Sequence, residues 1–210
     1  MDIVTRPPFV ILSRSVTGIE LRMLKDAIDS NPATTTVVLK NSRGGDARTG
    51  YAVGEYIRDK GLSTAVSGYC RSSCSRMFLG GKTRSFSNDQ PLDKTYAAFH
   101  GNYANDGKLL KANMSTLKAW VVKYSDSKAN PELVEQWVNL ENHNGFAYFY
   151  HPQVKLDAGP QRVMICQGSE DPKSCPEQCA KPELCDAMAN GILTTLEIVK
   201  MDPQETGAKP

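Results

Sequence analysis

The chain has 210 residues, and its 25 basic and 23 acidic side chains leave a net charge of +2 with neither sign gathered into a long run. That balance gives no electrostatic ground for a nucleic-acid or membrane-surface partner, and no apolar stretch approaches the ~18 residues of a transmembrane span. A chain of this length suits one compact domain over residues 1–210, able to bury roughly 70% of its unfolded surface without disulfides.

Val10-Ile11-Leu12 is a short apolar run, followed by Ile19, Leu21, Leu24 and Ile28 at helical spacing. Thr17 or Ser15 is placed to cap that helix, and Ser30-Asn31-Pro32 to end it. Thr35-Thr36-Val37-Val38-Leu39 is β-branched and predicts a buried strand running out into Asn41-Ser42-Arg43-Gly44-Gly45. A second helix carries Ala52, Val53, Tyr56 and Ile57 and closes at Lys60-Gly61. Leu62 to Val66 predicts another strand, leading into S-G-Y-C-R-S-S-C-S-R-M-F-L-G-G over 67–81, where Met77-Phe78-Leu79 continue as a third, buried helix. T-Y-A-A-F-H-G over 95–101 is strand-like and delivers His100 at its end.

The remainder reads differently. Residues 102–150 predict a helical segment, mainly over 106–140, broken between Ser125 and Pro131. Residues 151–190 read as a polar, cysteine-bearing insertion. Ala187 to Gly191 ends a helix, and 191–200 forms a last strand.

The β-α-β-α-β order of residues 1–101 implies parallel strands joined by right-handed crossovers. In such sheets, sites form where loops leave the carboxyl ends of strands. The Gly44-Gly45 loop and the Cys70–Cys74 loop both sit at such ends.

A serine hydroxyl attacks well only when a base takes its proton and donors stabilise the developing oxyanion. Ser72 stands where the third helix begins, with the Ser73 N–H just behind it, where the first helical N–H groups lack partners. Gly44-Gly45 brings a second N–H close without side-chain obstruction. A serine at a helix start is also the ordinary cap, and Gly-Gly after a strand the ordinary tight turn. Of three histidines, His100 has the strand-end placement a base requires, while His143 and His151 lie in turn-like sequence that reads as surface.

The six cysteines fall into two groups: Cys70 with Cys74, and Cys166, Cys175, Cys179 and Cys185. An even, clustered set points to disulfides and an oxidising compartment. Zinc is the competing reading, although the tight C-x₂-C pairs common in zinc sites are absent from the sequence. Across a helical turn, Cys70 and Cys74 would have Cα atoms ~6 Å apart, within disulfide reach. The start at Met1-Asp2 reads as trimmed, which fits a removed export signal.

Together, V-V-L-K-N-S-R-G-G-D-A-R-T-G-Y-A (37–52), G-L-S-T-A-V-S-G-Y-C-R-S-S-C-S-R-M-F-L-G-G-K-T-R (61–84), A-A-F-H-G (97–101) and M-A-N-G-I-L-T (188–194) resemble the ClpP/crotonase fold. The resemblance is to the Clp protease proteolytic subunit and its exported, periplasmic relatives. It covers residues 8–101 well and the last strand faintly. It implies an α/β spiral of β-α-β units with a parallel sheet, carrying a helical segment and a Cys-rich C-terminal insertion. It further implies Ser72 as nucleophile, His100 as general base, and Gly45 and Ser73 as oxyanion donors in a peptidase that needs no metal or cofactor. A peptide or protein substrate and a homo-oligomer follow from the same likeness.

The sequence departs from that pattern in three places, one being that the central helices carry no motif matching substrate binding or an unfoldase partner. Arg43 stands where proline is usual, and the acidic third partner has only Asp171 or Asp186 as candidates, neither within a matching motif. Two other readings share the fold: a noncatalytic interaction protein that binds through the 106–150 helices, and a crotonase-type acyl-CoA enzyme.

Overall fold

A computed structural model describes residues 1–154, 163–169, 175 and 186–201. The chain divides into two compact units, residues 1–97 with 194 onward, and residues 98–193.

The first unit is an α/β sheet. Its strands are β1 (Asp2–Arg6), β2 (Phe9–Ser13), β3 (Thr36–Ser42), β4 (Ser63–Arg71) and β5 (Arg84–Phe86). β1 lies antiparallel on β2, and the pairings β2 with β3, β3 with β4 and β4 with β5 are parallel. Between them run α1 (Glu20–Asp29), α2 (Ala47–Asp59) and α3 (Ser73–Leu79), the β-α-β order expected from the sequence. Val37, Val38 and Leu39 are buried together, which requires cover on both faces of β3 and explains why their run does not alternate with polar residues. α2 stops at Gly61, whose φ of +67° closes a helix without a Cβ clash.

α1 starts differently from the expectation. Neither Thr17 nor Ser15 caps it; the residue before it is Ile19, which makes no side-chain cap bond. Instead the Glu20 carboxylate turns back to accept the Thr17 N–H, the Thr17 hydroxyl and the Gly18 N–H, each at 2.8 Å. A carboxylate in the first turn satisfies donors outside the helix, so Thr17 donates where it was expected to accept.

β4 also runs five residues past Val66, to Arg71, with an irregular register against β3 between Lys40 and Ser42. Cys70 therefore belongs to the strand, paired with Ser42, and only Ser72 remains as the turn. Beneath this end of the sheet lies a polar knot. Asp89, 3% exposed, accepts the Ser67 hydroxyl at 2.7 Å and the Ser87 hydroxyl at 2.6 Å and faces Lys40 Nζ at 3.3 Å. It pins the segment after β5 to the ends of β3 and β4.

β6 (Tyr96–Phe99) crosses from the first unit's sequence into the second. In the second unit, α4 (Met114–Tyr124) and α5 (Pro131–Val138) are the two expected helices. Asn130 caps α5 by accepting the Glu132 N–H at 2.9 Å, with Pro131 in the first helical position. Phe99 packs edge-on to Phe149 at 5.5 Å and tilted against Trp137 at 5.3 Å, forming an aromatic core.

Three expectations fail here. The segment 102–150 is not helical throughout, because β7 (Phe146–Tyr150) pairs antiparallel with β8 (Val163–Cys166), itself inside the supposed polar insertion. Ala187 to Gly191 is a turn and not a helix end, and residues 191–200 contribute one bridge, Val199 to Ser87, in place of a strand. All five β7 residues and all four of β8 are buried, so neither shows the alternation by which strands are recognised. Among the described residues no helix is long and apolar enough to cross a membrane.

The knot sets the first prediction. Asp89→Ala removes the carboxylate facing a mostly buried Lys40 and strips two hydroxyls of their acceptor, so unfolding free energy should fall by about 3 kcal/mol. Urea denaturation measures this, and Asp89→Asn, which retains an acceptor, should lose less.

Candidate active site at the Ser72 turn

The chain reverses from β4 into α3 through a single residue. Ser72 has φ 56° and ψ −125°, a combination that residues bearing a Cβ rarely adopt. Its carbonyl is held twice, accepting the Ser75 N–H at 3.0 Å and the Ser75 hydroxyl at 2.6 Å. Its own hydroxyl makes no capping bond to α3. The plain alternative, a serine serving as a helix cap, is excluded by that geometry.

A disulfide brackets the turn. Cys70, next to last in β4, is bonded to Cys74, the second residue of α3, with Cα atoms 5.3 Å apart. The pairing matches the sequence expectation, but it joins a strand to a helix and does not cross one helical turn.

The neighbouring turn is packed directly on this one. Gly44 has φ +87°, and a Cβ there would stand 2.6 Å from the Arg71 carbonyl, 2.7 Å from the Ser72 Cβ and 3.0 Å from the Ser73 nitrogen. Only glycine allows that approach. Gly44 N–H donates to the buried Ser42 hydroxyl at 3.2 Å, and its carbonyl accepts the Val16 N–H at 2.8 Å. Gly45 follows at φ +148°, its backbone against Val16. Among the described residues, neither the Gly45 N–H nor the Ser73 N–H donates to a protein acceptor. The Ser73 N–H follows Ser72 directly, and the Gly45 N–H belongs to the turn whose Gly44 packs on Ser72.

α2 and α3 meet where side chains are smallest. A Cβ on Gly50 would stand 2.5 Å from the Ser73 carbonyl. Beside it the Ser73 hydroxyl is fully buried and has no hydrogen-bond partner among the described residues. Asp46 starts α2, accepting the Thr49 N–H at 2.7 Å. That bond, chiefly, holds the Asp46 carboxyl below its ordinary value of 3.8. On the strand side, Arg71 lies over the rings of Tyr69 and Tyr96 at 5.2 and 5.3 Å. Its Nε donates to the Tyr96 hydroxyl at 2.9 Å and its Nη2 donates to the same oxygen. Burial raises the Tyr96 phenol above its usual range, against the opposing pull of Arg71.

In the second unit, His100 follows β6 directly, as its sequence context predicts, and is buried. Its ring stacks on Phe146 at 4.2 Å and tilts against Tyr103 at 4.8 Å. His143 is exposed, as expected. His151 is not a surface residue: it is fully buried at the end of β7, and its Nδ1 accepts the Gln153 N–H at 3.2 Å. Asp186, one of the two acidic candidates, accepts the Ala189 N–H at 2.6 Å and so caps a turn. Asp171 lies outside the described residues. Cys166 is bonded to Cys175, Cα atoms 5.1 Å apart, so these two thiols join each other and not a metal. Cys179 and Cys185 lie outside the described residues.

Sequence reasoning pointed to the Ser72 turn and the Gly44-Gly45 loop, which the structure packs together, but not to Gly44 as the packing residue, nor to Ser42, Gly50 and the Arg71 clamp. The doubled glycine was the available signal; that its first member bears the packing and its second the donor depends on the register of two turns.

No family model and no curated protein matches the chain. Among solved structures it is similar to a ClpP1 variant from Listeria monocytogenes, with 11% identity over 61% of this chain and 77% of that one and a TM-score of 0.48. A variant of 1510-N, a membrane-bound stomatin-specific protease, matches at 9% identity over 61% of this chain and 67% of that one, with a TM-score of 0.45. A second variant of that protease, in complex with a substrate peptide, matches at 11% identity over 61% of this chain and 64% of its own, also at 0.45.

Two predictions follow from the turn. Gly44→Ala combines a left-handed φ with a Cβ forced into the Ser72 turn and should cost about 3 kcal/mol in thermal or urea unfolding. Asp46→Ala should cost about 1 kcal/mol at neutral pH, while Asp46→Asn, itself a good cap, restores most of it. Because the folded carboxyl is held below 3.8, the wild-type advantage over Asp46→Ala is present above that pH and declines as pH falls through the folded value. Urea titrations between pH 7 and 3 test that sign.

Proposed function

We propose that this chain is a serine hydrolase cleaving peptide bonds, with Ser72 as nucleophile, His100 as general base, and the Gly45 and Ser73 N–H groups as oxyanion donors. One observation carries the reading: Ser72 occupies a strained, single-residue strand-to-helix turn in which its hydroxyl makes no capping bond, with the Gly44-Gly45 turn packed against it. Strain of this kind clusters at active sites, and a nucleophile on a sharp strand–turn–helix elbow is a recurrent hydrolase device.

The chemistry is acyl transfer. Ser72 Oγ bonds to the substrate carbonyl carbon as its proton passes to the His100 imidazole. The negative charge gathers on the carbonyl oxygen, within reach of the Gly45 and Ser73 N–H groups, each worth about 2.7–4 kcal/mol in the transition state. The imidazolium returns the proton to the leaving amine, and a water attacking by the reverse route frees Ser72. His100 as base rests on its strand-end position and on the motif resemblance. The aromatic packing on both sides of its ring limits rotation. The same resemblance supports a homo-oligomer and a periplasmic location, and the two disulfides fit an oxidising compartment.

A fluorophosphonate probe tests the assignment. Wild-type protein should become covalently labelled on Ser72, Ser72→Ala should not, and His100→Ala should label at least about 100-fold more slowly. Labelling that persists in Ser72→Ala removes the nucleophile assignment. An unchanged rate in His100→Ala removes the base.

A further inference from the structure

We propose that Arg43 is a specificity residue whose guanidinium takes a substrate carboxylate close to the scissile carbonyl, so that acidic peptides are the preferred substrates; this rests on the hydrolase reading above.

Along the turn, Ser42 and Gly44 are buried while Arg43 and Gly45 are exposed. Ser42 and Gly44 are tied to each other by the hydroxyl bond, which fixes the backbone of the residue between them. Arg43 therefore leaves a rigid turn from the solvent side, two residues before Gly45, whose N–H is the proposed oxyanion donor. A Cβ on Gly44 would sit 2.7 Å from the Ser72 Cβ, and Arg43 Cα is only about 3.8 Å along the chain from Gly44 Cα. Its extended side chain spans roughly two residues of extended peptide, at ~3.3–3.6 Å per residue. A carboxylate on the substrate residue next to the one attacked by Ser72 falls within that radius.

The charge is available. Among the described residues Arg43 enters no hydrogen bond or ion pair. The acid three residues on, Asp46, is occupied by the Thr49 N–H at 2.7 Å and faces Arg48 at 3.9 Å. A guanidinium presents paired N–H donors that match a carboxylate in plane. A peptide acid can therefore gain a two-point contact with no existing contact to break.

The test uses two peptidyl phosphonate diphenyl esters identical except for the residue preceding the phosphonate, glutamate in one and glutamine in the other. In each, a bond forms between Ser72 Oγ and phosphorus, phenoxide leaves and the hydroxyl proton passes to the base. The readout is the ratio of the two second-order inactivation constants. Wild type should favour the glutamate probe by about fivefold. Arg43→Gln should bring the ratio to about one, Arg43→Glu should invert it, and added salt should shrink it in the wild type. Circular dichroism confirms that the variants of this exposed residue are folded. A wild-type ratio near one, or a preference surviving Arg43→Gln, overturns the proposal while leaving the nucleophile in place. Failure of a small uncharged fluorophosphonate to modify Ser72 removes the hydrolase reading, and the specificity with it.

Discussion

The contact between Gly44 and the Ser72 turn is the constraint on which the site depends. Two parallel strands, β3 and β4, end side by side, and each must leave its sheet without colliding with the other. With a Cβ-to-Cβ distance of 2.7 Å implied at that point, the turns fit together only because one of them has no side chain. Their closeness then fixes what the peptide groups can do. Gly44 spends its N–H on Ser42 and its carbonyl on Val16, leaving the Gly45 N–H and the Ser73 N–H as the donors without protein acceptors among the described residues. The two N–H groups that the proposed oxyanion cradle uses are in this sense left over from how two strand ends are accommodated.

α3 could not hold Ser72 in place by itself. It has seven residues, all of them buried, and isolated helices of that length are unstable in water. Its start is stapled to β4 by the Cys70–Cys74 bond. Its end is gripped by Arg58, whose guanidinium donates to the carbonyls of Gly80 at 2.9 Å, Leu79 at 3.0 Å and Gly81 at 3.3 Å. Along its length it lies against α2 at glycines: a Cβ on Gly80 would stand 2.1 Å from the Gly54 carbonyl oxygen. Held at both ends and along one side, the helix has no freedom to relax the serine. A backbone conformation that costs of the order of 1–3 kcal/mol persists only when its surroundings over-determine it in this way.

What the sequence made legible follows from which signals are local. β3 and α2 were readable because Val37-Val38-Leu39 and the Val53, Tyr56, Ile57 pattern carry periodicity and end at glycines. The serine turn was readable because a serine, two glycines and a strand-end histidine recur in an ordered set. β7 was not, because Phe146 to Tyr150 are buried on both faces and lie between polar, turn-like flanks. β8 escaped notice because four apolar residues inside a charged, cysteine-bearing stretch are too short to declare a period. His151 was misplaced for the same reason: its neighbours Pro152 and Gln153 read as surface, whereas burial was decided by the strand it terminates. The extension of β4 to Arg71 was hidden by Gly68, which breaks the apparent run although the strand continues through it.

The same comparison of local and long-range effects bears on why position 72 is a serine. At φ 56° and ψ −125°, glycine would meet the conformation with least strain. A serine used as a cap would take an extended φ and turn its oxygen onto the next N–H groups of the helix. Ser72 does neither: it accepts the cost of a side chain in a left-handed turn and makes no capping bond with it. Its backbone carbonyl, which any residue could supply, carries the structural duty through Ser75. Helix capping therefore does not account for a side chain at this position. A residue whose backbone serves the fold, and whose side chain strains it, is what the proposed nucleophile role would require, because strain of this kind is kept where function uses it.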